Sequence, residues 1–143
     1  MENNLRRAII LENYSNPFNK GLVSDDSYKR VNMNNESCID NIDLMIKIDS
    51  NIIADIRFDG EACAISTSAT SIIIKTLLNK SVDEALHIIG EYEAMINEEK
   101  YNADDLGEAI VYNEIYKQPN RKKCALLPVN GIKKILVEHK GIK

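Results

Sequence analysis

Long apolar runs are missing from this chain of 143 residues. The stretch Ser71-Ile72-Ile73-Ile74, for one, stops at Lys75, far short of the roughly 20 apolar residues that a bilayer-crossing helix needs. The opening Met-Glu-Asn-Asn-Leu-Arg-Arg lacks the apolar region of a secretory signal, so a cytoplasmic protein is expected. A basic excess is missing as well. Eighteen Lys+Arg against 22 Asp+Glu leave a formal charge of −4, whereas a phosphate backbone calls for a basic face. Neither a membrane nor a nucleic acid is an expected partner. There is no internal repeat and no low-complexity tract. The absence of a Gly-x-Ser-x-Gly elbow, with no histidine near the Ser66-Thr67-Ser68 run, argues against a serine hydrolase. Cysteines number only three and histidines two. An odd cysteine count cannot be fully paired within one chain, and cytosolic thiols stay reduced.

What is present is an ordinary globular balance, 44% hydrophobic and 28% charged. The length implies one domain over residues 1–143, large enough to fold without disulfides or metal. Leu5, Ala8, Ile9 and Leu11 have helical spacing over Leu5–Tyr14, and Asn16-Pro17 ends that helix. Asn19-Lys20-Gly21 is a turn, and the polar segment 24–37 holds a short strand near Tyr28–Met33. From Ile42 the period becomes two: Ile42, Leu44, Ile46 and Ile48 alternate with Asp43, Met45, Lys47 and Asp49. After a turn at Asp49-Ser50-Asn51 a second strand, Ile52–Phe58, puts Ala54, Ile56 and Phe58 on one side, and Asp59-Gly60 closes the sheet. Strands joined this closely are antiparallel.

Ala64–Leu78 reads as a helix of small and β-branched residues. Ser81-Val82-Asp83-Glu84 is a capping box opening a helix to about Lys100, with Ala85, Ile88, Ile89, Tyr92, Met95 and Ile96 as its apolar stripe. A short helix near Leu106–Tyr112 precedes a last helix opened by Pro119. This order predicts an α+β fold: a small antiparallel sheet of about three strands with helices packed on one face. Pro128 lies inside the last helix, and a proline there removes the partner of the Cys124 carbonyl. A kink or break between about residues 124 and 131, eased by Gly131, is expected, as is a more mobile Cys124.

The three cysteines fall at element boundaries: Cys38 in the polar loop, Cys63 directly before a helix, and Cys124 in the first turns of the last helix. A helix N-terminus at Cys63 favours a thiolate, and Arg121, Lys122 and Lys123 are expected to favour one at Cys124. No Cys-x-x-Cys pair marks a zinc knuckle. Yet the three thiolates with Asp40, two residues after Cys38, make a possible tetrahedral zinc set, or equally a set for an iron–sulfur cluster. His87, read as a surface or half-buried residue, and His139, near the C-terminus, lie far from the cysteines in sequence and are not expected to be ligands.

Four segments carry a resemblance. Ile10-Leu11-Glu12-Asn13-Tyr14-Ser15-Asn16-Pro17-Phe18-Asn19-Lys20-Gly21 is similar to the N-terminal motif of the U-type iron–sulfur assembly proteins, the IscU/SufU/NifU N-terminal family. Ser37-Cys38-Ile39-Asp40 resembles that family's Cys-Gly-Asp loop. Phe58-Asp59-Gly60-Glu61-Ala62-Cys63-Ala64-Ile65-Ser66 and Arg121-Lys122-Lys123-Cys124-Ala125-Leu126-Leu127 resemble its second and third cysteine motifs. IscU scaffolds have a histidine where this chain has Lys123, and the stretch between Cys63 and Cys124 is longer than theirs, so the resemblance is closest to the SufU branch. It implies a metal site of Cys38, Asp40, Cys63 and Cys124. It also implies a zinc-bound sulfur acceptor, and Cys38, on a loop while the other two cysteines are tied to helix ends, is expected to be the accepting thiol. The sulfur would come from a SufS-like cysteine desulfurase, a pyridoxal-phosphate enzyme, and pass to a downstream scaffold or carrier. An IscU-like scaffold that builds a cluster is the alternative, and a purely structural zinc a third reading. The family's Gly after the first cysteine is Ile39, the Gly before the second is Ala62, and an aromatic after the third is Pro128.

Overall fold

The structure, a computed structural model, describes residues 1–35 and 39–141. In chain order the elements are α1 (Asn3–Ser15), β1 (Lys29–Asn34), β2 (Asn41–Asp49), β3 (Ile52–Glu61), α2 (Ala64–Leu77), α3 (Val82–Ile96) and α4 (Pro119–His139). Two 3₁₀ turns, Gly107–Tyr112 and Ile115–Lys117, lie between α3 and α4. The strands form one antiparallel sheet in the order β1-β2-β3. Ser50 and Asn51 turn β2 into β3 with φ of 51° and 62°, the left-handed pair whose twist suits a two-residue hairpin. Met33, Ile42, Leu44, Ile46, Ile56 and Phe58 face the helices, where Ile72, Ile73, Ile132 and Leu136 complete the core. The other face is polar along its edge, where Asn32 donates to Asn41 Oδ1 at 2.8 Å and to Asp43 Oδ1 at 3.0 Å. The expected α+β arrangement is what the chain forms.

Several details differ from the sequence reading. Lys47 pairs with Asp55 but Ile48 with Ile53, so Ala54 is an extra residue in β3. That bulge shifts the alternation by one: Ile53 is buried and Ala54 is exposed. Met45, placed on the polar side by alternation, is also buried. The sheet does not close at Asp59-Gly60, because Gly60 pairs with Ile42 and Glu61 with Asn41. The Ser81–Glu84 capping box is present, but α3 stops at Ile96 rather than near Lys100. Glu98 takes φ 59° just beyond, and the polar residues 97–100 offer no apolar side chain to hold another turn on the core.

The expected break at Pro128 is absent: α4 is continuous from Pro119 to His139 with Pro128 buried inside it. An interior proline costs about 3 kcal/mol in an isolated helix, and here hydroxyls from neighbouring helices offset part of that. Ser66 Oγ stands 3.3 Å from the Cys124 carbonyl, and Tyr92 donates its hydroxyl to the Ala125 carbonyl at 2.8 Å. Gly131 admits a strand. A Cβ there would meet Met33 Sδ at 2.1 Å and Val31 Cγ1 at 3.3 Å, so the missing side chain lets α4 lie against β1.

Candidate metal centre

The site forms where the sheet hands over to α2. Cys63 is the N-cap of α2, and its sulfur accepts from the Ser66 N–H at 3.4 Å. In the usual capping box the third helical residue would satisfy the N-cap's own N–H. Here Asp40 does so from the start of β2, accepting from Cys63 N at 2.8 Å through Oδ1. Its other oxygen, Oδ2, accepts from the Ser66 hydroxyl and lies 4.0 Å from Cys63 Sγ. Cys124 comes in from α4, its sulfur 3.8 Å from the Asn120 carbonyl and 3.6 Å from the Asn35 amide nitrogen, which donates to it. Asn35 N also donates to the Asp40 carbonyl at 3.1 Å, tying the end of β1 to the start of β2.

Asp40, Cys63 and Cys124 thus bring one ligand atom each to within 4.8 Å of one another. Bonds of ordinary zinc–sulfur and zinc–oxygen length give tetrahedron edges of roughly 3.5–3.8 Å. The trio is therefore slightly open but of the right scale, and two sulfurs with a carboxylate are a set that zinc accepts. Asp40 and Cys124 are each only 2% exposed, while Cys63 is half-buried and lies toward solvent. Ile39 is 68% exposed beside them. Cys38, the fourth expected ligand, lies outside the described residues.

The electrostatics are those of a metal-free group. Burial alone would raise the Asp40 pKa. Hydrogen bonds from the Ser66 hydroxyl, the Cys63 N–H and both thiols outweigh it and hold the carboxyl below its ordinary value. The expectation for Cys124 is reversed. Its thiol is pushed up to about 12, chiefly by burial and then by its contact with Cys63. Arg121 and Lys123 are exposed on the helix start, so water screens the cations that the sequence placed beside it.

His87 is exposed on α3, and His139 Nε2 lies 3.0 Å from Asn51 Oδ1 at the far end of α4; neither belongs to the group. Two residues that the sequence reading passed over do touch it: Ser66 and Asn35. Ser66 had a signal, since it is the third residue after an N-cap cysteine. Asn35 had none beyond its place near the loop.

The profile of the NifU-like N terminal domain family matches residues 6–125. The zinc-dependent sulfurtransferase SufU of Bacillus subtilis (strain 168) is 33% identical over 138 residues, 96% of this chain and 92% of that protein. The iron–sulfur cluster assembly scaffold protein IscU of Streptococcus pyogenes serotype M1 is 33% identical over 135 residues, 94% of this chain and 84% of that one. Among solved structures, FiSufU from Fervidobacterium islandicum AW-1, a candidate iron–sulfur cluster assembly scaffold protein for the SUF system, superposes with a TM-score of 0.84. It is 27% identical, with 94% of this chain and 99% of that one covered. The match runs from α1 through Cys124 and takes in Asp40, Cys63 and Cys124: the chain belongs to the NifU-like N-terminal domain family.

Proposed function

We propose that this protein works in iron–sulfur cluster assembly as a zinc-dependent sulfur acceptor of the SufU kind. The observation that carries the reading is the convergence of the Asp40 carboxylate and the Cys63 and Cys124 thiols within 4.8 Å at the start of α2. Cys38, two residues before Asp40, is the fourth ligand in this reading. Zinc at such a site supplies a lowered thiol pKa and a fixed place for thiolates.

The described thiols are poor acceptors by position. Cys63 is held as a helix cap and Cys124 is buried in α4 with its pKa raised. Cys38 is therefore the accepting thiol. Its thiolate attacks the outer sulfur of a persulfide on a pyridoxal-phosphate cysteine desulfurase. A new S–S bond forms at Cys38, the donor S–S bond breaks, and the desulfurase cysteine leaves as a thiolate. The oxidation level of the outer sulfur is unchanged, so no oxidant is needed.

Incubation with a cysteine desulfurase and free cysteine, followed by peptide mass spectrometry, should place a persulfide on Cys38 and none in Cys38→Ala. A persulfide found only on Cys63 or Cys124 refutes the assignment. The IscU relative, equally identical, favours a second reading as a cluster scaffold. Zinc that survives purification, with no visible absorption after anaerobic reconstitution with iron and sulfide, supports the acceptor. A stable coloured cluster supports the scaffold.

A further inference from the structure

Proline at residue 128 lacks the N–H that would bond the Cys124 carbonyl in a regular α-helix. The group beside that carbonyl comes from another helix: Ser66 Oγ, at 3.3 Å. The same oxygen bonds Asp40 Oδ2 and lies 3.5 Å from Cys63 Sγ. Ser66 is fully buried on the first turn of α2, and Thr70 braces that turn by donating to the Ser66 carbonyl at 2.7 Å. One hydroxyl therefore touches all three described members of the candidate site. A hydroxyl has one hydrogen and here two acceptors, the carboxylate and the Cys124 carbonyl.

We propose that Ser66 is a positioning residue of the metal group, and that Pro128 sets how much of its hydrogen the Asp40 carboxylate receives. The hydroxyl takes the place of the N–H that residue 128 lacks, and so joins the backbone of one ligand, Cys124, to the side chain of another, Asp40. A residue with an N–H at 128 would satisfy the Cys124 carbonyl within α4. Ser66 would then be free to give its hydrogen wholly to Asp40.

The test is a double-mutant cycle of Ser66→Ala and Pro128→Ala, read first on metal-free protein by denaturant unfolding. In the parent, Ser66→Ala leaves a buried carbonyl and a buried carboxylate short of a donor. In Pro128→Ala only the carboxylate loses one. The cost of Ser66→Ala on the unfolding equilibrium should therefore shrink by roughly tenfold in the Pro128→Ala background. Additive costs, within about twofold, overturn the link to Pro128.

The second reading uses metal. Ser66→Ala should weaken zinc binding by about 10–100-fold in a chelator competition. It should also change the visible d–d bands of the cobalt(II)-loaded protein, which report ligand geometry and which a loss of global stability would not move. Unchanged zinc affinity with an unchanged cobalt spectrum overturns the positioning role. The zinc and cobalt readings rest on the metal-site reading above. If the parent takes up neither ion, that reading fails, and the metal-free cycle alone decides whether Ser66 and Pro128 are coupled.

Discussion

Replacing Gly60 with alanine should cost about 3 kcal/mol or more, because two independent penalties meet at one residue. Gly60 sits in β3 opposite Ile42 with φ +136°. A side chain in that region costs about 1–3 kcal/mol through its own backbone. The added Cβ would also lie 2.2 Å from the Asn41 carbonyl oxygen and 3.0 Å from the Ile42 Cα. Both contacts are backbone, so no rotamer change relieves them, and the β2–β3 ladder must open. A chain of this size loses about 3–4 °C of Tm per kcal/mol, which puts the drop near 10 °C. The damage should reach the site, since Asn41 follows Asp40 and a shift of β2 draws the carboxylate away from the Cys63 N–H. The control is Gly90→Ala. Gly90 is exposed within α3 and a Cβ there meets nothing within 4 Å, so helix propensity alone should raise stability by about 1 kcal/mol. Scanning calorimetry on both variants checks the pair. A Gly60→Ala protein melting within about 2 °C of the parent refutes the argument.

Tyr92→Phe should lower stability by about 1–3 kcal/mol. It removes the buried donor to the Ala125 carbonyl, and denaturant titration showing no loss would mean that α4 needs no help at its proline. Asp55 is held below its ordinary pKa: burial would raise it, but hydrogen bonds from Tyr28 and Arg57 prevail. A depressed folded-state pKa gives stability that is present above the unfolded aspartate value and is lost as pH falls through the folded value. Asp55→Asn should therefore flatten the loss of stability below about pH 4, where unfolded aspartate titrates. Parallel acid limbs for both proteins would refute this. In metal-free protein at about pH 8, near the ordinary thiol range, iodoacetamide should alkylate Cys63 well before Cys124. Cys124 is buried with its thiol pushed up to about 12, so equal rates by peptide mass spectrometry would contradict that environment.

The parts of the fold that were legible in the sequence are those set by local physics. The alternation from Ile42, the left-handed turn at Ser50-Asn51 and the Ser81–Glu84 capping box all need only neighbours a few residues away. The bulge at Ala54 did not show, since the alternation that it interrupts resumes with an equally apolar set. Ile53 and Ala54 both look like core residues until the partner strand decides between them. The site divides in the same way. Cys63 as a helix cap is a local fact. The Cys124 environment is not: three nearby cations in sequence suggested a thiolate, and burial in the fold reversed the direction.

Pro128 takes this further, because there local and tertiary physics oppose one another. Within α4 the proline removes a hydrogen bond and should bend or end the helix. The helix nevertheless runs on, and the two carbonyls around the defect meet hydroxyls from α2 and α3, Ser66 at Cys124 and Tyr92 at Ala125. Sequence spacing cannot reveal such partners, which lie 58 and 33 residues away along the chain. The consequence is specific to this chain. A residue that would ordinarily loosen a helix instead deprives a backbone carbonyl of its helical N–H at the point where α4 meets Asp40 and Cys63. The helix defect and the ligand cluster then share a single hydroxyl, and a change at either should be felt at the other.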